Sequence, residues 1–189
     1  LKTLNQMIEL ATGKYLARMD ADDIALPDRF ATQVALLERE PEVVCVGGGY
    51  DMIDEQGAVL AETRPPINDA EIQQELLAGF TAIQHPCAMI RRSAVLAVAG
   101  YDETAFLAED LDLWLRLGEI GKLANLEQVV LQYRLHMRSV SRRNLKRQLR
   151  MAQKVCERAW QRRGVTGSYL AATPWYHELI LLCGWRAFN

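Results

Sequence analysis

Apolar and polar positions along this chain follow two rhythms, one with the period of a helix and one that alternates, and together they predict most of its elements. Leu4, Met7, Ile8 and Ala11 recur at helical spacing, Thr3 and Gln6 form a capping-box pattern, and Gly13 supplies a stop. Tyr15 to Met19 then reads as a strand, mostly apolar on both faces as in a covered parallel sheet. Pro27 suits the first turn of a second helix in which Phe30, Val34 and Leu37 form the inward stripe. Val43 to Val46 is a β-branched run, and beyond Gly47-Gly48-Gly49 the chain resumes with Tyr50 to Ile53 and turns at Glu55-Gln56-Gly57. The glycine triplet matches neither the dinucleotide-binding nor the P-loop spacing, so a bulge or a close backbone approach is the expected reading.

Pro65-Pro66 breaks the pattern, after which Asn68 can cap a helix from Asp69 to Leu77 that Gly79 ends. Ile83 to Arg92 reads as a strand carrying His85-Pro86, with His85, Cys87 and Met89 on one side, followed by one or two helical turns over Ser93 to Ala99 and a loop at 100–103. Glu109-Asp110 opens a helix whose Leu111, Leu113, Trp114, Leu115 and Leu117 make so broad an apolar surface that deep burial is expected. Val129, Leu131, Tyr133 and Leu135 alternate with Val130, Gln132, Arg134 and His136, a strand that sends Arg134 and His136 to the same side. Residues 142–163 form one amphipathic helix, with Leu145, Leu149, Ala152, Cys156 and Ala159 inside, and a last helical segment runs from Trp175 to Trp185.

The alternation of helices and strands is that of an α/β protein. With 189 residues, half of them hydrophobic, the chain suits one domain plus an appendage. Leu1 stands where a methionine would open a complete chain, and the first residues already read as the middle of a fold, so a segment upstream is expected. No run approaches the roughly 20 apolar residues of a membrane span. Cys45, Cys87, Cys156 and Cys183 are scattered with no Cys-x-x-Cys pair, which argues against a zinc site and a disulfide framework and points to reduced thiols in the cytoplasm. Charge is unevenly distributed: residues 1–141 hold 12 Lys/Arg against 22 Asp/Glu, whereas residues 142–163 hold nine against one. An acidic body thus carries a basic tail, here taken as a 1–141 domain and a helical 142–189 extension.

Three carboxylates, Asp20, Asp22 and Asp23, stand where the first strand emerges into a loop, the end at which open α/β sheets bind ligands. Crowding charge there costs free energy unless a cation relieves it, and hard oxygen ligands in this number suit Mg²⁺ or Mn²⁺ sharing its shell with a phosphate. Glu109 and Asp110 favour a helix N-terminus electrostatically, yet a carboxylate at such a mouth is also well placed to accept a proton from a bound hydroxyl. Arg134 and His136, at the polar end of their strand, could approach an anion or a metal.

The order Asp20-Ala21-Asp22-Asp23, His85-Pro86, Glu109-Asp110-x-Asp112-Leu113-Trp114-x-Arg116 and Tyr133-Arg134-x-His136 with Ser139 and Ser141 resembles the inverting family 2 glycosyltransferases of the GT-A fold, over roughly residues 1–141. The resemblance implies the C-terminal part of a three-layer α/β sandwich with a mainly parallel mixed sheet, without the N-terminal segment that binds the nucleotide base. It also implies transfer of a sugar from a nucleotide diphosphate sugar to a saccharide or lipid-linked acceptor, in polysaccharide or glycolipid synthesis of the cell envelope. Carried over residue by residue, Asp20 would touch the ribose or support the site, Asp22 would bind the metal, and His136 would lie near the metal or diphosphate. Arg134 would join them in the donor site. Asp110 would be the general base and Glu109 would shape the acceptor site, with His85 and Trp114 as acceptor-site candidates.

Two other readings compete. The basic helix over 142–163 could lie on the inner face of an anionic membrane, which would suit an enzyme acting on a lipid-linked or envelope acceptor, while the alternative to an enzyme is a non-catalytic helical interaction or membrane-surface module. Nucleic acid is not the expected partner, because the stripe lacks a binding module. Phosphoryl transfer of the haloacid dehalogenase type also uses Asp-x-Asp after a strand, but its pattern continues to threonine or valine where this chain has Ile24.

Overall fold

The computed structural model describes residues 1–135 and 144–171. His136 and the helix expected over Trp175 to Trp185 lie outside the described residues. The helices are α1 (Lys2–Leu10), α2 (Arg29–Arg39), α3 (Asp69–Leu77), α4 (Arg92–Ala97), α5 (Glu109–Leu117) and α6 (Leu145–Arg163). The strands are β1 (Tyr15–Ala17), β2 (Ile24–Ala25), β3 (Val43–Ile53), β4 (Val59–Thr63), β5 (Met89–Arg91) and β6 (Lys122–Arg134), with short 3₁₀ turns at His85–Cys87 and Glu103–Ala105.

One mixed sheet runs in the order β1-β5-β3-β6-β2, with β4 added to β3. β3 and β6 pair in parallel, while β1 with β5, β3 with β5, β3 with β4 and β2 with β6 are antiparallel. The mixed sheet is therefore as expected, but among the described residues its parallel part is this central pair alone. β1 departs most from expectation: it is three residues long, half-buried and antiparallel to β5 at the end of the strand order. Its apolar run is too short to be covered on both faces.

The sheet sorts its side chains into two cores. Val46, Met89 and Ala124 pack under Leu36 and Leu37 of α2, whereas Cys45, Ile90 and Leu123 pack against α3, α5 and α6 on the other face. That alternation of neighbouring strand residues makes three layers. A register shift between Val43 and Cys45 turns Val44 to the same side as Cys45. The described part of the basic tail belongs to this core as well, since Ala152, Val155, Cys156 and Ala159 of α6 are buried in it.

Locally strong signals are reproduced. Asn68 caps α3 by accepting the Glu71 amide, and Gly79 follows with φ +91°. The glycine triplet lies within β3, where the register with β6 shifts on both sides of Gly49. A side chain on Gly47 would collide with Asn125 Oδ1, so close approach is the reason for glycine there.

Three expectations fail for physical reasons. Thr3 sits inside α1, whose N-cap is Leu1 and makes no side-chain cap bond. The inward face of α2 is Arg29, Gln33, Leu36 and Leu37, while Phe30 is 52% exposed. Here backbone satisfaction outweighs side-chain polarity: Gln33 Nε2 donates to Cys87 O at 2.7 Å and Val46 O at 3.2 Å, and Arg29 Nη2 donates to Arg18 O at 2.7 Å. Finally, residues 83–92 are not one strand, because Pro86 brings no N–H and His85–Cys87 closes a 3₁₀ turn that confines β5 to Met89–Arg91.

Candidate functional site

β1 delivers the chain to the acidic loop. The Asp23 amide donates to Asp20 O at 3.3 Å to close a turn, and Arg18 Nη1 pairs with Asp20 Oδ2 at 2.5 Å. Asp22 is exposed, whereas Asp23 is 6% exposed and accepts the Arg134 amide at 2.9 Å through Oδ1. Its Oδ2 has no hydrogen-bond partner among the described residues. Burial pushes the Asp23 carboxyl up to about 6 against the pull of the Arg134 amide, and Asp20 and Asp22 add to the rise.

Arg134 does more than donate its amide. Its Nε donates to Asp22 O at 2.9 Å, and its Nη1 donates to Asp54 O at 2.9 Å and Glu55 O at 3.0 Å. The guanidinium is thus committed to carbonyls that tie the acidic loop to the β3–β4 hairpin. The geometry makes it a brace of the loop. From beneath, Arg29 is 1% exposed and holds Arg18 O, as described above.

The opposite wall is the mouth of α5. Glu109 Oε2 accepts the Leu107 amide at 2.7 Å, fixing a left-handed backbone at Leu107 with φ +82°. Asp110 Oδ1 accepts the Leu111 amide at 2.8 Å. Burial, then the charge of Glu109, pushes the Asp110 carboxyl up to about 6, while the Leu111 and Asp110 amides and the charge of Arg18 oppose the rise. Arg18 therefore couples the two walls, being paired with Asp20 and felt at Asp110.

Arg18 also acts on a neutral pair. His85 Nε2 and the Tyr101 hydroxyl are 2.8 Å apart, and burial with the nearby charge of Arg18 holds the imidazole down to about 3. Burial pushes the Tyr101 phenol up from its ordinary value, so both groups are uncharged at neutral pH. Asn5 brackets Tyr101, donating to its carbonyl at 2.9 Å and accepting its amide at 2.8 Å. Trp114 packs edge-on against His85 at 5.9 Å but is 1% exposed, and its indole N–H donates to Ile83 O at 3.1 Å. It supports His85 from the core; it does not offer a face to an acceptor.

Asp110 also lines a cavity of about 530 Å³, together with Tyr50, Pro65, Gln84, Leu111 and Gln148. Among the described residues no three His, Cys, Asp or Glu side chains are grouped to hold a metal ion. The donor set at 20–23 nevertheless fits a hard divalent cation that takes part of its shell from a ligand, given the unpartnered Asp23 Oδ2 beside exposed Asp22.

Sequence reasoning found the carboxylates but gave no role to Arg18, Tyr101 or Arg29. Arg18 adjoins the acidic cluster and could have been marked by that adjacency. Tyr101 carries no spacing signal, since its partner His85 is 16 residues away, and Arg29, although it donates to Gln33 one helical turn on, reaches Arg18 O 11 residues back.

The acidic loop at a strand end and the carboxylates at a helix mouth thus share Arg18, on a mixed sheet between helical layers. The chain belongs to the glycosyltransferase like family 2, whose model matches residues 2–182. It is 34% identical over 147 residues to the amylovoran biosynthesis glycosyltransferase AmsE of Erwinia amylovora, covering 75% of this chain and 53% of that protein. It is also 34% identical over 143 residues to the O-antigen biosynthesis glycosyltransferase WbnJ of Escherichia coli, covering 74% and 54%. This chain thus spans about half the length of these relatives. Among solved structures, it resembles the mannosyltransferase PcManGT of Pyrobaculum calidifontis in complex with GDP-Man and Mn²⁺, with a TM-score of 0.53 and 14% identity over 100% of this chain and 59% of that one. The fold is of the GT-A type.

Proposed function

We propose that this protein is an inverting glycosyltransferase, which moves a sugar from a nucleoside diphosphate sugar to a saccharide or lipid-linked acceptor hydroxyl in the synthesis of a cell-envelope polysaccharide or glycolipid. The observation that carries the reading is the acidic loop at the end of β1, where the Asp23 Oδ2 is unpartnered beside exposed Asp22 and Arg18 pairs with Asp20, with Asp110 on the wall of a cavity. The names of two relatives, in amylovoran and O-antigen biosynthesis, support the polysaccharide class, and the GDP-Man and Mn²⁺ of a structural neighbour support the donor and cation classes.

In this reading Asp22, with His136, would hold Mn²⁺ or Mg²⁺, which would offset negative charge on the donor diphosphate. Asp20, steadied by Arg18, supports the ribose side of the donor site. Asp110 takes the proton of the acceptor hydroxyl as its oxygen bonds to the anomeric carbon and the bond from that carbon to the diphosphate breaks. Attack from the face opposite the leaving group inverts the centre. A base poised near 6 is ionised at neutral pH yet retains affinity for a proton. Glu109 fixes the 107–110 turn and so shapes the acceptor side, where the neutral His85–Tyr101 pair offers hydrogen bonds without charge.

Calorimetric titration of UDP and GDP, with and without Mn²⁺, tests the reading. Donor-nucleotide binding is expected to require the metal and to fall at least about tenfold in Asp22→Asn, the loss of one charge-assisted contact. Equal binding by the parent and the Asp22→Asn protein would overturn the assignment.

A further inference from the structure

The cations of α6 fall into two groups. Toward the C-terminus they are used within the molecule: Arg158 Nη1 pairs with Asp102 at 3.3 Å, Arg162 Nε with Glu119 at 2.9 Å, and Arg163 Nη1 donates to Gln73 Oε1 at 2.7 Å. Toward the N-terminus, Lys146, Arg150 and Lys154 are exposed and have no ion pair or hydrogen bond with a described residue. Exposed Arg147 stands with them, its guanidinium 5.9 Å from the ring of Phe106, which is itself 46% exposed.

This arrangement is unfavourable for the helix by itself. Lys146, Arg150 and Lys154 repeat at i, i+4, where like charges repel, and the first turn of α6 contains no acid to match the positive end of the helix dipole. Ala152, Val155, Cys156 and Ala159 bury the opposite side of α6, so the charged stripe, about 12 Å long from its helical rise, is directed away from the core. A sequence that keeps such a stripe while neutralising the other end of the same helix leaves one face for an anionic partner.

We propose that Lys146, Arg147, Arg150 and Lys154, with Phe106 as an aromatic contact, form a docking surface for an anionic phospholipid membrane. Two observations favour a membrane over a nucleic acid. The body carries 12 Lys/Arg against 22 Asp/Glu in residues 1–141, which repels a polyanion that wraps the protein but hardly affects a planar surface touching one stripe. An exposed aromatic ring against Arg147 is also suited to the headgroup region, and none of the described helices is long and apolar enough to cross a membrane. The inference goes beyond the transferase reading and does not depend on it.

Cosedimentation of the whole protein with phosphatidylcholine vesicles, with or without about one third phosphatidylglycerol, tests it. Binding is expected only to the anionic vesicles, and it should disappear in about 0.5 M salt as the charges are screened. Replacing Lys146, Arg150 and Lys154 together with Gln should weaken binding about 100-fold, since each basic residue near such a surface is worth roughly a factor of five. Phe106→Ala should weaken it less. Thermal melting of the triple variant checks that it folds, and its Mn²⁺-dependent nucleotide binding should match the parent's. Binding that is indifferent to salt or to the triple substitution would overturn the proposal, as would tighter binding to an RNA duplex than to the vesicles.

Discussion

At residues 18–23 the acidic loop is held by groups from elsewhere in the chain, with Arg29 on Arg18 O, the Arg134 guanidinium on Asp22 O and the Arg134 amide on the Asp23 carboxylate. At residues 107–111 the holding groups are local, Glu109 on the Leu107 amide and Asp110 on the Leu111 amide, at the head of a helix packed into the main core. The acidic loop thus depends on the correct docking of α2 and β6, while the helix mouth needs little beyond α5. One wall of the site is assembled by tertiary structure and the other is built nearly in place, so damage to the two should have different signatures.

Substituting the locally built wall should have the largest effect on activity. Asp110→Asn is expected to lower transfer by about 10²–10⁴-fold, the range for removing a general base, while leaving nucleotide binding intact. In the parent, kcat/KM should rise as pH increases through about 6, where Asp110 ionises among Glu109, Arg18 and the neutral His85–Tyr101 pair. Stability should move the opposite way. The folded-state pKa lies above the unfolded value, so the native state binds the proton more tightly and loses stability as pH climbs from about 4 to about 6. Asp110→Asn should lack that decline, making it relatively more stable than the parent at pH 8 than at pH 4. Initial rates and thermal melts across pH would measure both, and retained turnover would remove Asp110 from its role.

The other wall should fail through folding. Arg29→Met leaves buried carbonyls such as Arg18 O without their donor, and a loss of about 3 kcal/mol is expected in urea unfolding. Metal-dependent nucleotide binding should weaken with it even under conditions where the variant is folded, because the acidic loop loses its support. Preserved binding in a folded Arg29→Met protein would show that the two walls are equally self-sufficient.

The smallest effect should come from the cap of α3. Asn68→Ala removes the cap of α3 and should cost about 1 kcal/mol by the same measurement, with nucleotide binding unchanged. A change in binding would mean that the start of α3 is coupled to the site.

How legible each part was follows from where its determinants lie. α3 is read from Asn68, its apolar spacing and Gly79, all within a dozen residues, and the structure reproduces its bounds. The close approach at the glycine triplet was also legible, although its cause, Asn125 packed against Gly47, required the fold. The acidic cluster and the Glu109–Asp110 pair stood out because crowded carboxylates are costly wherever they fall. Phe30 misled the reading of α2, because an apolar ring on the helix ranked above Arg29 and Gln33 until the unpaired carbonyls beneath them were visible. His85 was placed in a strand because alternation cannot register that Pro86 lacks a donor.

The sequence by itself determined the α/β class, the position of most helices, the acidic loop and the polarity of α6, since these rest on contacts between near neighbours. Only the tertiary structure decided that β1 is antiparallel at the end of the sheet order, that Arg134 braces the loop through backbone carbonyls, and that Trp114 backs His85 from the core. It also decided which cations of α6 are neutralised and which are left exposed. The reason is common to all of these: a buried carbonyl or an unpaired charge chooses its partner by proximity in the folded chain, and that proximity is set by packing between segments far apart in sequence.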